Sequence, residues 1–412
     1  MSSIRWMALD RYIRFLESNS VQKQADCPYA HLIPETQVTD EELRFALDLA
    51  CEIQQIQSPT FDEGERAAFL RRQFEALGLP DVQLDPVGNV LARLPGTDPH
   101  AKPVVLSAHL DTVFPRQESL PLARLEDRIV GPGIGDNSLS LAVLILAAGW
   151  LQRSGNRLPG DLWLAGNVCE EGLGDLRGMR ALVDRFGDRP LAYIILEGMG
   201  LGNIYHRGLG VARYRIHVET PGGHSWSSYG TPSAVHEIAR LVARLADLSL
   251  PASPRTTLNV GVIEGGTTVN SIASHASIDL DLRSTSSQTL QFIETQVETL
   301  VNNFQQQDVR LRMEPIGRRD AGEIPANHPL VEVARCVLED LGVTARLDVG
   351  STDANVPLSR GLPAVCIGLT YGAKAHTPAE YIQIAPVRDG ITQLLQLLQV
   401  VWAIEPTAPT GQ

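Results

Sequence analysis

The chain has 412 residues, of which 43% are hydrophobic, and a formal net charge of −13 at pH 7. This length and apolar content are typical of a globular protein large enough for two domains. The acidic balance disfavours nucleic acid and anionic membranes as partners, because both carry negative charge themselves.

Residues 1–36 form an appendix that precedes the regular pattern of the chain. Within it Leu9, Tyr12, Ile13 and Leu16 have the spacing of an amphipathic helix, and a polar, proline-bearing connector follows. Charged residues interrupt its apolar positions, and no uninterrupted apolar stretch of the chain is long enough to span a bilayer. We therefore expect neither a signal peptide nor a membrane anchor.

The cysteines are odd in number and widely spaced, without a CxxC pair. They are Cys27, Cys51, Cys169, Cys336 and Cys366. This pattern favours reduced thiols over a disulfide framework, and it predicts a cytoplasmic protein.

Residues 37–210 alternate predicted helices and strands, beginning with a helix start at Thr39-Asp-Glu-Glu42. Such alternation predicts an α/β fold with a mostly parallel sheet. The apolar run Val104–Ala108 is one of its strands, and it is followed at once by His109-Leu-Asp111. A histidine that binds a metal through one ring nitrogen needs an acceptor for the other N–H, and Asp111 can supply it.

A glycine-rich turn comes next, Gly131-Pro-Gly-Ile-Gly-Asp136-Asn137, and the apolar helix predicted for Leu139–Ala148 leaves it. Glycine-rich turns before helices also bind phosphate. The spacing here is not the dinucleotide fingerprint, and no Lys-Ser/Thr pair follows. A carboxylate at the turn would repel phosphate, so we interpret Asp136 as a metal ligand.

Two further apolar strands end in carboxylates. Leu162–Cys169 leads to Glu170 and Glu171, and Leu191–Leu196 leads to Glu197. Adjacent side chains at the end of a strand point in opposite directions, so one glutamate of the pair can hold a cation while the other faces a substrate. A solvated charge pair is the alternative interpretation of Glu170 and Glu171.

Residues 211–318, which we call the insert, have a different pattern. Their predicted order is β-α-β-β-α-β, with strands Arg213–Thr220, Thr257–Ile263, Ala276–Arg283 and Val309–Pro315 and helices Ser233–Leu248 and Leu290–Phe304. This order describes a small antiparallel sheet with two helices on one face. We interpret His206 and His217, which lie on strand-like segments without a motif, as structural.

Three segments of the insert attract attention as functional candidates. His224 lies in the glycine-rich loop that follows the first strand, Asn270 ends a second glycine-rich loop, and Arg283 ends a strand in Asp281-Leu-Arg283. Each of these side chains could instead cap its own turn.

The alternating pattern returns in residues 319–412, which contain Ala375-His376-Thr377-Pro378. The segment Gly350-Ser-Thr-Asp353 precedes an apolar stretch, where it either lines a cleft or caps a helix. With residues 37–210 this part would build one main domain, and the insert would lie beside its cleft.

Five potential ligands thus lie at strand ends or beside a helix start. They are His109, Asp136, Glu171, Glu197 and His376. In an open α/β sheet such ends converge on one crevice. Two histidines and three carboxylates suit a pair of divalent ions with one bridging carboxylate, and Glu170 is then placed to take a proton from a water.

These motifs, in this order from about Thr39 to Ile404, resemble the M20 metallopeptidases and related deacylases, a group that includes peptidase T, acetylornithine deacetylase and succinyl-diaminopimelate desuccinylase. The resemblance implies that Asp136 bridges two metals, with His109 and Glu197 completing one site and Glu171 and His376 the other. Asp111 would orient His109, and Glu170 would be the general base.

The resemblance also implies that the insert is a lid and dimerisation domain, and that the chain forms a homodimer. His224 would then reach the active site of a partner subunit, while Asn270 and Arg283 would contact the substrate. Zinc is the expected metal, although carboxylate-rich sites also accept manganese or cobalt.

The expected reaction is hydrolysis of an amide, either a peptide or an N-acyl amino acid. In the resembling family Glu at the position of Glu197 favours carboxypeptidases and deacylases over aminopeptidases and dipeptidases, and Arg283 suits a substrate carboxylate. The alternatives are a binding or regulatory protein that has kept the fold, and a hydrolase with one metal or another nucleophile. No Gly-x-Ser-x-Gly motif supports a serine nucleophile.

Overall fold

The computed structural model describes residues 27–116 and 119–404. The amphipathic helix predicted around Leu9–Leu16 lies outside these residues. The α-helices of the described residues are α1 (Asp40–Gln54), α2 (Gly64–Ala76), α3 (Leu139–Arg153), α4 (Arg177–Phe186), α5 (Ala234–Ala246), α6 (Ser287–Asn303), α7 (Pro329–Asp340), α8 (Asn355–Ser359) and α9 (Val387–Val400).

The same residues contain strands of very different length. In chain order they are β1 (Gln83–Leu84), β2 (Val90–Leu94), β3 (Val104–His109), β4 (Ala123–Arg124), β5 (Arg128–Val130), β6 (Leu162–Asn167), β7 (Ala192–Met199), β8 (Asn203–Gly208), β9 (Gly210–Glu219), β10 (Gly223–His224), β11 (Thr256–Gly265), β12 (Ser271–Ile272), β13 (His275–Ser284), β14 (Arg310–Arg319), β15 (Gly322–Glu323), β16 (Arg346–Gly350), β17 (Ala364–Thr370), β18 (Gly372–Ala373) and β19 (Tyr381–Gln383).

The main sheet has the order β1-β2-β6-β3-β7-β17-β8-β15, and β16 pairs with β8. Its four middle strands, β6, β3, β7 and β17, are parallel, while β2 and β8 flank them in antiparallel pairing. Every residue of β3 and β17 is buried, as expected for parallel strands covered on both faces. The predicted α/β class with a mostly parallel sheet is confirmed.

Helix α1 begins where the sequence predicts it. The Thr39 side chain accepts the backbone N–H of Glu42, and the Glu42 carboxylate accepts the backbone N–H of Thr39, which is a capping box. Helix α3 follows the glycine-rich turn and packs in the core. Among the described residues, Ile134–Arg153 is the one helical segment that is long and apolar enough to cross a membrane by length and composition, and 89% of its 18-residue apolar window is buried inside the protein. Its apolar character is therefore explained by core packing.

The insert builds a second sheet with the order β11-β13-β9-β14, in which all neighbours are antiparallel. Helices α5 and α6 pack on this sheet and share with it a hydrophobic cluster distinct from that of the main domain. The last strand runs to Arg319 instead of Pro315, because its pairing with β9 continues as far as Val211.

The chain enters and leaves the insert along two adjacent strands. Arg319 is paired with Val211, and a few residues further Gly322 is paired with Gly208. The two connections are thus hydrogen bonded to each other, so the main domain and the insert are joined by a two-stranded link.

The expectation that all five cysteines are reduced is wrong. Cys27 forms a disulfide with Cys336, which lies in α7, while Cys51, Cys169 and Cys366 are free. The two partners are 309 residues apart in sequence, so spacing gave no sign of the pair. The cysteines therefore no longer support a cytoplasmic location, which stays a prediction.

Candidate metal centre and active site

The five predicted ligands come from separate elements that meet at one edge of the main sheet. His109 is the last residue of β3, and Glu197 lies near the end of the neighbouring parallel strand β7. Asp136 belongs to the turn Ile134–Ser138, in which the Asp136–Asn137 peptide bond is cis. The carboxyl ends of adjacent parallel strands form a crevice, and the ligands lie in it.

One cluster forms around His109. Its Nε2 lies 3.0 Å from Oδ1 of Asp136 and 3.9 Å from Oε2 of Glu197. Suitable ligand atoms of these three residues all lie within 4.8 Å of one another. The imidazole is 2% exposed, so this cluster is closed to bulk water on the histidine side.

A second cluster forms around His376. Its Nε2 lies 3.1 Å from Oδ2 of Asp136 and 3.2 Å from Oε1 of Glu171. Asp136 therefore directs one carboxylate oxygen to each cluster. His376 has a positive φ of 63°, a left-handed backbone conformation that is uncommon for a residue with a side chain.

The acid–base properties of the two clusters show that negative charge is concentrated here. Burial raises the pKa of Glu171 to about 7, and the charge on Asp136 adds to this effect. Burial also raises the pKa of Glu197 well above its ordinary value. Hydrogen bonds to Asp136 and Glu171 raise the pKa of His376 to about 10. Both glutamates thus resist ionisation, as expected where several acidic groups share one site.

This donor set fits divalent metals. Imidazole nitrogen and carboxylate oxygen are the ligand types of zinc, manganese and cobalt sites. One buried and two partly buried carboxylates with two neutral histidines leave net negative charge when deprotonated, which a pair of cations would neutralise. His109, Glu197 and Asp136 would hold one ion, and Glu171, His376 and Asp136 the other.

Asp111 has a broader structural task than the sequence predicts. The nearer acceptor for Nδ1 of His109 is the backbone carbonyl of Asp111, at 3.0 Å, and the carboxylate Oδ1 lies at 3.5 Å. The carboxylate accepts the backbone N–H groups of Glu170 and Glu171, both at 2.9 Å, and the hydroxyl of Thr60 at 2.9 Å. It therefore also fixes the segment that carries both glutamates.

Glu170 lies beside the two clusters without being the centre of either. A carboxylate oxygen of Glu170 lies within 4.8 Å of ligand atoms of His109 and Glu171. Its Oε1 accepts a hydrogen bond of 2.8 Å from Nη1 of Arg319, and both side chains are buried. The sequence gave no sign of Arg319, because the two residues are 149 positions apart.

The turn that carries Asp136 is held by Glu380, which is completely buried. Its carboxylate accepts the backbone N–H groups of Gly133, Gly135 and Asp136 at 3.0, 2.8 and 2.9 Å. Burial raises the pKa of Glu380 to about 7. Glu380 lies four residues after His376 in the sequence. This closeness to a predicted ligand was the signal by which the sequence analysis could have found it.

Asp353 lies below the site and is fully buried. It accepts a hydrogen bond of 2.6 Å from Nδ2 of Asn167, and burial, followed by the charge on Glu170, raises its pKa to about 7. It does not line the cleft, whereas Gly350, Ser351 and Thr352 do. The predicted contribution of this segment to the cleft therefore holds for its first three residues.

The cleft above the candidate metal ligands has a volume of about 800 Å³. Besides the acidic residues it is lined by the cationic side chains of Arg213, Arg283, Arg319 and Lys374. Arg283 forms an ion pair of 2.7 Å with Asp281, whose other oxygen lies 3.0 Å from Arg213. Arg283 thus lies at the cleft, where the sequence analysis expects it, and it forms an ion pair with Asp281 in this structure.

His224 and Asn270 do not line this cleft. Both are exposed, and their loops contact each other, since His224 pairs with Ser271 and the carbonyl of Asn270 accepts the backbone N–H of Ser225 at 3.0 Å. Nδ1 of His224 accepts the backbone N–H of Trp226 at 3.2 Å. Of the three candidates in the insert, one therefore lines the cleft of its own chain and two do not.

Large apolar side chains surround these two loops on the surface. Trp226 is 87% exposed, Tyr229 is 91% exposed and Val269 is fully exposed. Strand β11, an edge strand of the insert, adds the exposed side chains of Val262 and Ile263. Exposed apolar residues beside an unpaired strand edge are typical of a surface that another protein chain covers.

Residues 105–400 match the model of peptidase family M20/M25/M40. A Peptidase M20 domain-containing protein of Schizosaccharomyces pombe is 32% identical over 245 residues, 56% of this chain and 58% of that protein. A probable carboxypeptidase of Aspergillus clavatus is 30% identical over 262 residues, 55% of each. The match thus spans little more than half the length of these two relatives. An acetylornithine deacetylase of Proteus mirabilis is 28% identical over 315 residues, 71% of this chain and 79% of that protein.

Solved structures share the fold. Aminopeptidase PepT of Bacillus cereus has a TM-score of 0.71 at 23% identity and covers 87% of this chain and 98% of its own. YxeP of Bacillus subtilis, described as a dinuclear metal binding peptidase from the M20 family, has a TM-score of 0.65 at 15% identity and covers 89% and 100%.

Proposed function

We propose that this chain, which belongs to peptidase family M20/M25/M40, hydrolyses an amide bond of a peptide or an N-acyl amino acid with two divalent metal ions and Glu170 as general base. Members of the family are hydrolases of C–N bonds. The proposal depends above all on Asp136, whose two oxygens face two different histidine-carboxylate clusters.

The chemistry divides between the metals and the protein. Divalent ions held by these residues would polarise the scissile carbonyl and lower the pKa of a water molecule in the cleft. Glu170 accepts a proton from that water as its oxygen adds to the carbonyl carbon, and it then delivers the proton to the leaving nitrogen as the C–N bond breaks. Glu170 is supported in this role by its place beside both clusters.

The metal ligands are assigned as the family resemblance implies. His109 and Glu197 would hold one ion, Glu171 and His376 would hold the other, and Asp136 would serve both. Asp111 orients His109 and the Glu170–Glu171 segment. Zinc is the first choice for both ions, and manganese and cobalt are the alternatives that this donor set also accepts.

Substrate recognition is assigned to Arg283 and Asn270. The guanidinium of Arg283 lines the cleft and suits a substrate carboxylate through two parallel hydrogen bonds. Glu197 favours a carboxypeptidase or N-acyl amino acid deacylase over an aminopeptidase or dipeptidase. Relatives named as carboxypeptidase and as acetylornithine deacetylase are compatible with this preference.

The insert is assigned as a lid and dimerisation domain, with residues 37–210 and 319–412 as the catalytic domain. His224 and Asn270 lie outside the cleft of their own chain but next to exposed Trp226 and Val269. We place this face and the edge of β11 in a homodimer interface, through which His224 enters the partner's cleft and stabilises the oxyanion.

Activity assays with metal control test the proposal. The purified protein is incubated with dipeptides and N-acyl amino acids, before and after complete metal removal, and after addition of zinc, manganese or cobalt. We expect hydrolysis that is lost with the chelator and restored by a metal. Hydrolysis unaffected by complete metal removal would rule out the metal mechanism, and absence of turnover on every amide would favour a binding protein.

A further inference from the structure

Arg319 is attached to Glu170 at two points. Nη1 donates to the carboxylate Oε1 at 2.8 Å, and Nη2 donates to the backbone carbonyl of the same residue. Nη1 also lies 3.1 Å from both the carbonyl and the hydroxyl oxygen of Ser351. Two donors of one planar group, each bound to a different oxygen of Glu170, fix the position of this residue better than a single charge does.

The pair is withdrawn from solvent. The Arg319 and Glu170 side chains are 6% and 7% exposed. Removing one partner of a buried ion pair leaves an uncompensated charge, so this contact constrains both groups strongly. In the proposed reaction Glu170 must move a proton between a water molecule and the leaving nitrogen, and such a transfer requires a fixed donor–acceptor distance.

Arg319 also occupies a special place in the fold, because it ends β14 at the two-stranded link to the insert. Its neighbour Arg318 donates its backbone N–H to Asp175 at 2.7 Å, and Arg213 at the start of the insert donates to the carbonyl of Gly172 at 2.6 Å. The segment 170–175 is thus tied to the link at three places. A rotation of the insert about this link must move Arg319 or break these contacts.

We infer that Arg319 is a positioning residue that holds the carboxylate of Glu170 for proton transfer and couples its position to the orientation of the insert. This inference rests on the proposed function, in which Glu170 is the general base. Arg319 acts through Glu170 and takes no part in proton transfer itself.

The test is a double-substitution cycle with Arg319→Met, which keeps most of the side-chain volume, and Glu170→Gln. We expect Arg319→Met to lower kcat on the order of 100-fold, the size of loss that a displacement of about 1 Å causes, with KM little changed. Arg319→Lys keeps the charge but loses the paired donors, so its kcat should lie between those of the wild type and Arg319→Met. Arg312→Met is the matched control, because Arg312 is an exposed arginine on the same strand whose partner is Glu314.

The combination distinguishes positioning from other roles. If Arg319 acts through Glu170, Arg319→Met lowers kcat no further in the Glu170→Gln background. An equal loss in both backgrounds, an unchanged kcat with a raised KM, or a kcat as low in Arg312→Met would overturn the inference. If Arg319→Met does not fold, Arg319→Lys carries the same cycle.

A readout without activity separates failure of this inference from failure of the proposed function. The same cycle is measured as the free energy of unfolding of the metal-free protein. Suppose that the two substitutions are coupled in the free energy of unfolding, while Glu170→Gln keeps full turnover. The ion pair would then exist but Glu170 would not be the base, and the inference would fall together with the proposed function. Absence of coupling, with Glu170→Gln inactive, would overturn the inference alone.

Discussion

The main domain and the insert present their functional candidates in opposite ways. In the main domain the candidate side chains are drawn inward to one edge of the sheet, and the backbone around them is held by buried carboxylates such as Asp111 and Glu380. In the insert His224 and Asn270 lie on exposed loops among uncovered aromatic side chains. A metal centre can therefore be assembled within one chain, whereas a contribution of His224 or Asn270 requires either motion or a second chain.

The most severe test of the main domain is Glu170→Gln. Gln keeps the size of the side chain but cannot accept the proton, so we expect kcat to fall by about 10²- to 10⁴-fold. Metal content, measured by atomic absorption, should stay near that of the wild type. Retained turnover would remove Glu170 from the mechanism.

His224→Ala tests whether the insert contributes to catalysis. Loss of one oxyanion donor costs about 10²- to 10³-fold in kcat. Mixing His224→Ala chains with chains that carry Glu170→Ala should recover part of the activity, because one cleft of the mixed dimer then contains both residues. Lack of recovery in heterodimers confirmed by mass spectrometry would speak against a shared site.

Glu380→Ala tests whether the main-domain site depends on its backbone support. Two buried N–H groups and one partly buried N–H group lose their acceptor, at about 1–3 kcal/mol for each buried donor left unsatisfied. We expect the free energy of unfolding in urea to fall by about 3 kcal/mol or more, with weaker metal binding. Glu323→Ala is the matched control, since this exposed glutamate pairs with Arg207 at the surface, where such a pair contributes little.

The pH dependence of metal binding gives the smallest but most specific effect. His376, with its pKa raised to about 10, must release a proton to bind a metal at neutral pH. Glu171, with its pKa raised to about 7, releases another when the pH is below about 7, and Glu197, with its pKa raised well above the ordinary value, adds to this release. Apparent affinity should therefore rise with pH, about tenfold per unit for each proton released. Calorimetric titration with zinc between pH 6 and 8 measures this slope, and His376→Gln should reduce it by one proton. An affinity independent of pH would contradict the ligand assignment.

The sequence predicts what depends on local pattern. Apolar strands that end in a histidine or carboxylate, as at His109 and Glu197, locate the crevice, because parallel strands present their carboxyl ends at a common edge. The same argument yields the α/β class. The order of strands and helices in the insert follows equally from periodicity.

What the sequence does not predict depends on contacts between distant segments. Arg319 meets Glu170 across 149 residues, and Glu380 meets the turn at Gly133 across 247 residues. Periodicity reports only which face of an element is buried, and an arginine at the end of a strand looks like a surface charge. Only the folded chain shows which carboxylate it neutralises.

The bond between Cys27 and Cys336 closes a loop that contains most of the polypeptide, including both connections to the insert. A protease that cuts any peptide bond between these residues would therefore leave one covalent molecule. Such nicked protein would migrate as an intact chain in a denaturing gel until a thiol reagent is added, and it would then separate into fragments.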